Sequence, residues 1–151
     1  METTLSAQME DYLEAISNLS RDQGLARVRD VARRIDVSMA SVVGAVRSLK
    51  EKGLVTQEPY GYIRLTEEGG RAAGSVVHRH EVLRVFLERV LGLEAEAASA
   101  DACRIEHAVS AETLARLGAM AEFLGRPVHK DLDWPREFLR FRRTRERKAA
   151  S

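Results

Sequence analysis

One cysteine, three prolines and 5% aromatic residues are what this 151-residue chain has least of. A single thiol cannot form an internal disulfide, so no cross-linked framework staples the fold. So few prolines and aromatics argue against a strand-rich chain and for a helix-rich one. No run reaches the roughly 18 uncharged apolar residues of a membrane span. The start, METTLSAQMEDYLEA, has neither the basic nor the apolar segment of an export signal. A reducing cytoplasm, with no membrane partner, is the expected location. Net charge is scarce too: 24 Lys and Arg against 23 Asp and Glu leave a formal +1. That excludes a globally basic coat for nucleic acid but leaves room for local patches.

What is present is globular. Hydrophobic residues at 44% and charged residues at 31% exclude a disordered spacer as the main content. The length suits one compact unit or two small ones. From Ser6 to about Arg21, Met9, Leu13, Ile16 and Leu19 recur at helical spacing, and Gly24 ends the run. A second helical run from Arg27 to Ile35 carries Val28, Val31, Ala32 and Ile35. After a break at Asp36 and Val37, Ser38 is placed to cap a third run, which carries Val42, Val43, Val46 and Leu49 and stops at Gly53. LVTQEP and IRLT flank Pro59 and Gly61 as a small hairpin. Thr66, Glu67 and Glu68 open a long helix that ends near Gly92, and further runs span about Glu94 to Val109 and Ser110 to Leu124. Gly125 and Pro127 break the pattern ahead of an Arg-rich tail, which reads as a solvated end or frayed helix, or alternatively as a source of extra phosphate contacts, and in which Phe138, Leu139 and Phe141 hint at docking.

Helix, helix, turn, helix and two-stranded wing is the order of a winged helix-turn-helix, whose second helix of the pair lies in the DNA major groove. Ser38, Ala40, Ser41, Gly44, Arg47 and Ser48 fall on its solvent side, while Val42, Val46 and Leu49 pack inward. Small hydroxyls near the N-terminus can approach bases and phosphates, and Arg47 with Lys50 can hold the backbone. Arg27, Arg29, Arg33 and Arg64 add positive charge, and Tyr60 sits at the wing tip. The DNA-contacting set is therefore Arg27, Arg29, Ser38, Ala40, Ser41, Arg47, Lys50 and Tyr60. The competing reading is a winged helix used for protein contacts, its cations merely keeping a face solvated.

Cys103, Glu106 and His107 in DACRIEH stand at i, i+3 and i+4, so a helix presents all three on one face. Thiolate, carboxylate and imidazole together suit a first-row transition metal. Asp11 and Glu14 form an i, i+3 pair on the first helix, and His80 in HRHEVL offers another nitrogen. Each has a plainer reading: two acids one turn apart usually make a solvated face, and a lone cysteine is usually a small buried hydrophobe.

MEDYLEAI, SMASVVGAVRSLKEKGLV, IRLTEEGGRAA, HRHEVLRVFLERVLGL and DACRIEHAVS, in that order and spacing, resemble the metal-dependent repressors typified by the diphtheria toxin repressor and the manganese transport regulator. The resemblance runs from about Met9 to Leu124 and is most specific at DACRIEHAVS. It implies a mainly α fold: an N-terminal winged helix joined to a helical dimerisation domain, with iron or manganese between them enabling the dimer to bind operator DNA. The implied ligands are Asp11, Glu14, His80, Cys103, Glu106 and His107. The position of Asp11 is a methionine in the iron-responsive branch and an aspartate in the manganese-responsive branch; that of Cys103 is a cysteine in the first and a glutamate in the second. This chain mixes the two. The iron branch also has an ancillary site using the position of His80 with a glutamate and a histidine, where this chain has Arg84 and Ser99.

These readings divide the chain into a winged helix at 1–72, a helical metal-binding and dimerisation domain at 73–126 and a basic tail at 127–151, with no length left for the SH3-like domain of longer relatives. The expected protein is not an enzyme but a homodimeric repressor of metal-uptake genes, activated by Mn2+ or Fe2+ with Co2+ or Zn2+ as substitutes, and binding double-stranded operator DNA and no small-molecule substrate. Val109, Leu114, Leu117, Met120 and Phe123 form the apolar stripe expected to pair two subunits. Two other classes stay open: a winged-helix adaptor or redox-sensing regulator not activated by metal, and a metal-dependent hydrolase in which the ion activates water.

Overall fold

The computed structural model describes residues 5–58, 61–126 and 133–149, the last two of them by backbone alone. The chain divides into two compact units, Met1–Val77 and His78–Ser151.

In the first unit, α1 (Ala7–Gln23) is capped by Ser6, whose side chain accepts from Met9 N, and closed by Gly24 in the left-handed region. Strand β1 (Ala26–Arg27) leads directly into α2 (Val28–Arg34) and, after a turn, α3 (Met39–Glu51). The turn uses Asp36 at φ 52, a conformation that a short polar side chain tolerates. Ser38 caps α3, its Oγ accepting from Ser41 N at 3.1 Å. Strands β2 (Val55–Gln57) and β3 (Tyr62–Leu65) complete an antiparallel sheet in the order β1-β3-β2. The expected hairpin of β2 and β3 is present, β1 adds a third strand to its sheet, and residue 27 ends a strand instead of opening a helix. Ala26 opposite Ile63 and Arg27 opposite Tyr62 make the extra ladder. Two residues are too few to show a periodicity, so this strand exists only through its pairing with β3.

Tyr12, Leu13, Ile16 and Leu19 of α1 interlock with Val31, Val42, Val46, Leu49, Leu54 and Ile63 in one core. The inward set expected on α3 is buried, with Val42 and Leu49 at 0% exposure. Each such aliphatic residue contributes roughly 1.5–3 kcal/mol by leaving water, which fixes the attitude of α3 on its scaffold.

Helix α4 (Glu67–Arg89) begins in the first unit and continues into the second. There it is joined by α5 (Ala95–Ile105), α6 (Ala111–Leu124) and α7 (Trp134–Ala149). The core of the second unit is small: Leu83, Ala102 and Leu114, flanked by Val82, Leu87, Val109 and Leu117. The Arg-rich end is a regular helix within this unit, not a frayed one. Leu139 and Pro135 of α7 lie against Gly92, 3.4 and 3.5 Å from where a Cβ there would stand, which is van der Waals contact. Phe138 is also half-buried, whereas Phe141 is exposed.

Candidate metal centre and nucleic-acid interface

The exposed face of α3 carries Ala40, Ser41, Val43, Gly44, Arg47 and Lys50. Ser38 and Ser41 are partly committed to the fold, because their hydroxyls lie 2.8 Å apart and Ser38 holds the cap. Ser41 remains exposed, but an incoming acceptor must compete with that pair. Arg29 is paired with Asp30 at 3.3 Å. Arg27 donates to Tyr62 Oη at 2.9 Å, and its guanidinium lies 5.0 Å from the centroid of that ring. Tyr62 is a residue the sequence reading passed over: only the β1-β3 register brings it to Arg27, and it restrains that cation on the wing side of the unit. Tyr60, named with the contacting set, lies outside the described residues.

In the second unit α4 and α5 together with the turn after α5 bring four donors close. Glu106 follows the last residue of α5, yet its backbone at φ −57 and ψ −28 stays helical, so the i, i+3 relation to Cys103 persists past the helix end. The expected helix from Glu94 to Val109 is shorter at both ends, but the ligand spacing survives this shortening. Glu106 is 1% exposed and is the buried acid among the described residues. Its Oε2 lies 2.8 Å from His80 Nδ1, and its Oε1 lies 3.4 Å from His107 Nε2. Cys103 Sγ is 3.7 Å from the same His80 nitrogen. A carboxylate taken out of water is costly unless cations or donors surround it, and here two imidazoles flank it.

Donor atoms of His80, Cys103 and Glu106 all lie within 4.8 Å of one another. A nitrogen and a sulfur held at about 2.1 and 2.3 Å from one tetrahedral ion stand roughly 3.6 Å apart, close to the 3.7 Å between His80 and Cys103. The spacing of that pair fits a shared divalent ion, whereas Glu106 Oε2, at hydrogen-bond distance of 2.8 Å from the same nitrogen, has to draw apart from it to join them. His107 meets the opposite oxygen of Glu106. Asp11 and Glu14 belong to the first unit, one turn apart on α1 and both half-buried, a less solvated position than a free acidic face.

Two residues around His80 also have defined roles. Ser99 Oγ lies 3.4 Å from Nε2, so the ring can donate there and keep Nδ1 turned toward Cys103 and Glu106. Arg84 reaches Glu81 at 2.7 Å and Glu88 at 2.6 Å. Its hydrogen bond to Glu81 holds that carboxyl below the usual glutamate range, against a smaller opposing effect of burial. This chain therefore has a guanidinium clamped by two acids beside His80. Ser99→Ala is expected to weaken divalent-metal affinity by about tenfold, the lower end for removing a partner of a ligating histidine. Calorimetric titration checks it, and unchanged affinity would remove Ser99 from the site.

No helix among the described residues is long and apolar enough to cross a membrane.

Comparison with known proteins adds an independent line. Residues 4–63 match the family described as iron dependent repressor, N-terminal DNA binding domain, and residues 66–135 match iron dependent repressor, metal binding and dimerisation domain. The chain is 35% identical over 115 residues to the HTH-type transcriptional regulator MntR of Bacillus subtilis, covering 76% of this chain and 80% of that protein. It is 41% identical over 106 residues to the transcriptional regulator MntR of Escherichia coli O157:H7, covering 70% and 68%. Among solved structures, a manganese-dependent transcriptional repressor in complex with manganese superposes with a TM-score of 0.70 at 35% identity, over 76% of this chain and 53% of that one. IdeR of T. acidophilum superposes with a TM-score of 0.69 at 29% identity, over 74% and 52%. The chain thus spans about half the length of these structural relatives.

Proposed function

The chain belongs to the iron-dependent repressor family, a family of metal-dependent transcriptional regulators, and from that premise we propose that it binds operator DNA as a homodimer when loaded with Mn2+ or Fe2+ and represses metal-uptake genes. The observation that carries this reading is the buried Glu106 between His80 and His107, with Cys103 alongside. Asp11 and Glu14 are proposed to complete the ligand set from α1. A bound divalent ion supplies positive charge to this acidic site and a reason for one conformation to dominate. Imidazole and carboxylate ligands bind an ion in their deprotonated forms, so affinity falls as acidity rises. The coupling needed to switch DNA binding is typically 1–3 kcal/mol, about 5- to 150-fold.

The donor set is chemically mixed: the carboxylates Asp11, Glu14 and Glu106 favour manganese, while the Cys103 thiolate favours iron, cobalt or zinc. Cys103→Asp is expected to reduce affinity for Co2+ and Zn2+ more than for Mn2+, and to remove the thiolate-to-cobalt charge-transfer band of the Co2+-loaded protein. For the dimer, the support is the small core of the second unit beside Met120 and Phe123, which stay 49% and 48% exposed. A second copy covering them would supply burial that this small core does not.

DNA binding to the chain's own upstream region, measured by fluorescence anisotropy under anaerobic reducing conditions, tests the proposal. Binding that rises at least fivefold with Mn2+ or Fe2+ and reverses with chelator is the expected result. Metal-independent binding overturns it in favour of an adaptor or a redox-sensing regulator using the exposed Cys103.

A further inference from the structure

Helix α7 carries seven of the 24 Lys and Arg residues but two of the 23 Asp and Glu, so its formal charge is +5 and that of the remaining chain −4. The near-zero total therefore hides a strong asymmetry, with the positive charge gathered on one helix. Within α7 the cations are also arranged. Arg136, Arg140, Arg143 and Arg147 follow spacings of four, three and four residues. At about 100° per residue this places them inside a wedge of roughly 60° and along about 16 Å of helix. All four are exposed and border one open groove.

Internal pairing does not account for two of the four arginines in this stripe. Arg136 and Arg143 have no carboxylate within ion-pair distance among the described residues, and Arg140 meets Glu137 in an exposed pair of the kind worth little in water. Packing does not explain it either, because Leu139 and Pro135, which cover Gly92, lie about 70° and 110° around the helix from the middle of the stripe. Docking of that apolar side fixes α7 to the second unit and leaves the arginines outward.

We propose that this face of α7 is a phosphate-binding surface that adds backbone contacts to duplex DNA. The inference rests on the DNA-binding function proposed above and extends it to a helix largely beyond the residues matched by the family's two domains. Arginine suits the role because its planar guanidinium pairs with phosphate through two parallel donors, and the stripe contains no lysine. A regular row of cations fits a partner with a regular row of anions, one charge per 3.4 Å along each strand. An anionic membrane fits less well: an interfacial helix needs a free apolar face, and here Leu139 and Pro135 already pack on the protein, leaving Phe141 exposed.

The test compares the full chain with the quadruple variant Arg136→Gln, Arg140→Gln, Arg143→Gln and Arg147→Gln, and with the corresponding four-lysine variant. Fluorescence anisotropy follows binding to a mixed-sequence duplex and to the chain's own upstream DNA across a salt series, with and without Mn2+. The slope of log K against log salt is expected to shrink by about 0.9 for each guanidinium that meets a phosphate, about 3 to 4 in all. Both duplexes should lose affinity alike, since phosphate contacts carry no sequence information. The lysine variant should keep the slope, and the glutamine variant should keep its helical circular dichroism and the fold-increase that metal produces. An unchanged slope in the glutamine variant overturns the proposal while leaving metal-dependent DNA binding intact. Loss of metal dependence in the unmodified chain defeats the function proposed above, yet the slopes still decide the role of α7. Binding of the unmodified chain to phosphatidylserine vesicles that the glutamine variant loses, with DNA slopes equal, would reassign the stripe to a membrane.

Discussion

Glu106→Ala is expected to abolish the response to divalent metal. The unmodified protein at a metal concentration 100 times its Kd gains about 2.7 kcal/mol of stability, several degrees of Tm; the variant is expected to gain none at that concentration. The cause lies in the geometry of one side chain. Glu106 contacts His80 through one oxygen at 2.8 Å and His107 through the other at 3.4 Å, with a side-chain exposure of 0%. Its removal takes away a negative charge that offsets the ion, and it frees both rings from the orientation that aims their nitrogens inward. Without metal the loss should be smaller, about 1–2 kcal/mol, because the two rings are 17% and 13% exposed and can turn to water. Glu106→Gln separates charge from shape: it retains an oxygen for His80, so the fold should hold while affinity for Mn2+ or Co2+ falls by about 100-fold or more. Thermal unfolding with and without metal, together with calorimetric titration, reads both variants. Wild-type affinity and stoichiometry in either would remove Glu106 from the ligand set.

The same site shows what a sequence exposes and what it conceals. Cys103, Glu106 and His107 could be read as a group because their relation is local, and local backbone geometry persists through Glu106 even though α5 ends one residue earlier. Ser38 is legible as a cap for a similar reason, since it accepts from a backbone N–H three residues on. The partners of these local groups are not. Tyr62 meets Arg27 across 35 positions with nothing in either segment to mark the other, and Ser99 meets His80 across 19, a proximity that only the family resemblance points to. Strand β1 escaped notice because its two residues are specified by the hydrogen bonds of β3 rather than by their own pattern. The Arg-rich end was read from composition as a solvated end or frayed helix. Its Arg136, Arg140, Arg143 and Arg147 stripe gained meaning once Leu139 and Pro135 showed which side of α7 packs inward.

Gly69→Ala is expected to cost the first unit about 4 kcal/mol, whereas Gly70→Ala, one residue later in the same helix, should be neutral or stabilising by up to about 1 kcal/mol. Composition alone does not distinguish the two glycines of EEGG. In space, a methyl group at Gly69 would lie 1.8 Å from Leu54 O and 2.8 Å from Leu54 C, while one at Gly70 meets nothing within 4 Å. Leu54 cannot retreat cheaply, because its carbonyl accepts from Thr66 N at 3.0 Å. Thr66 is held in turn: its Oγ1 donates to Gly53 O at 2.7 Å and accepts from Gly69 N at 3.0 Å. Accommodating the methyl means parting the turn after α3 from the start of α4, with loss of the helix cap and of these bonds. Overpacking contributes about 1–3 kcal/mol, a lost cap about 1, and each broken hydrogen bond about 0.5–1.5. For a unit of this size such a loss lowers Tm by roughly 15–30 °C. Paired thermal melts of the two variants test the contact directly, since they share composition, helix and propensity and differ in what stands opposite the new methyl. Equal melting temperatures would mean that the strand and helix can part at this point, and the close approach at Leu54 would then have no structural weight.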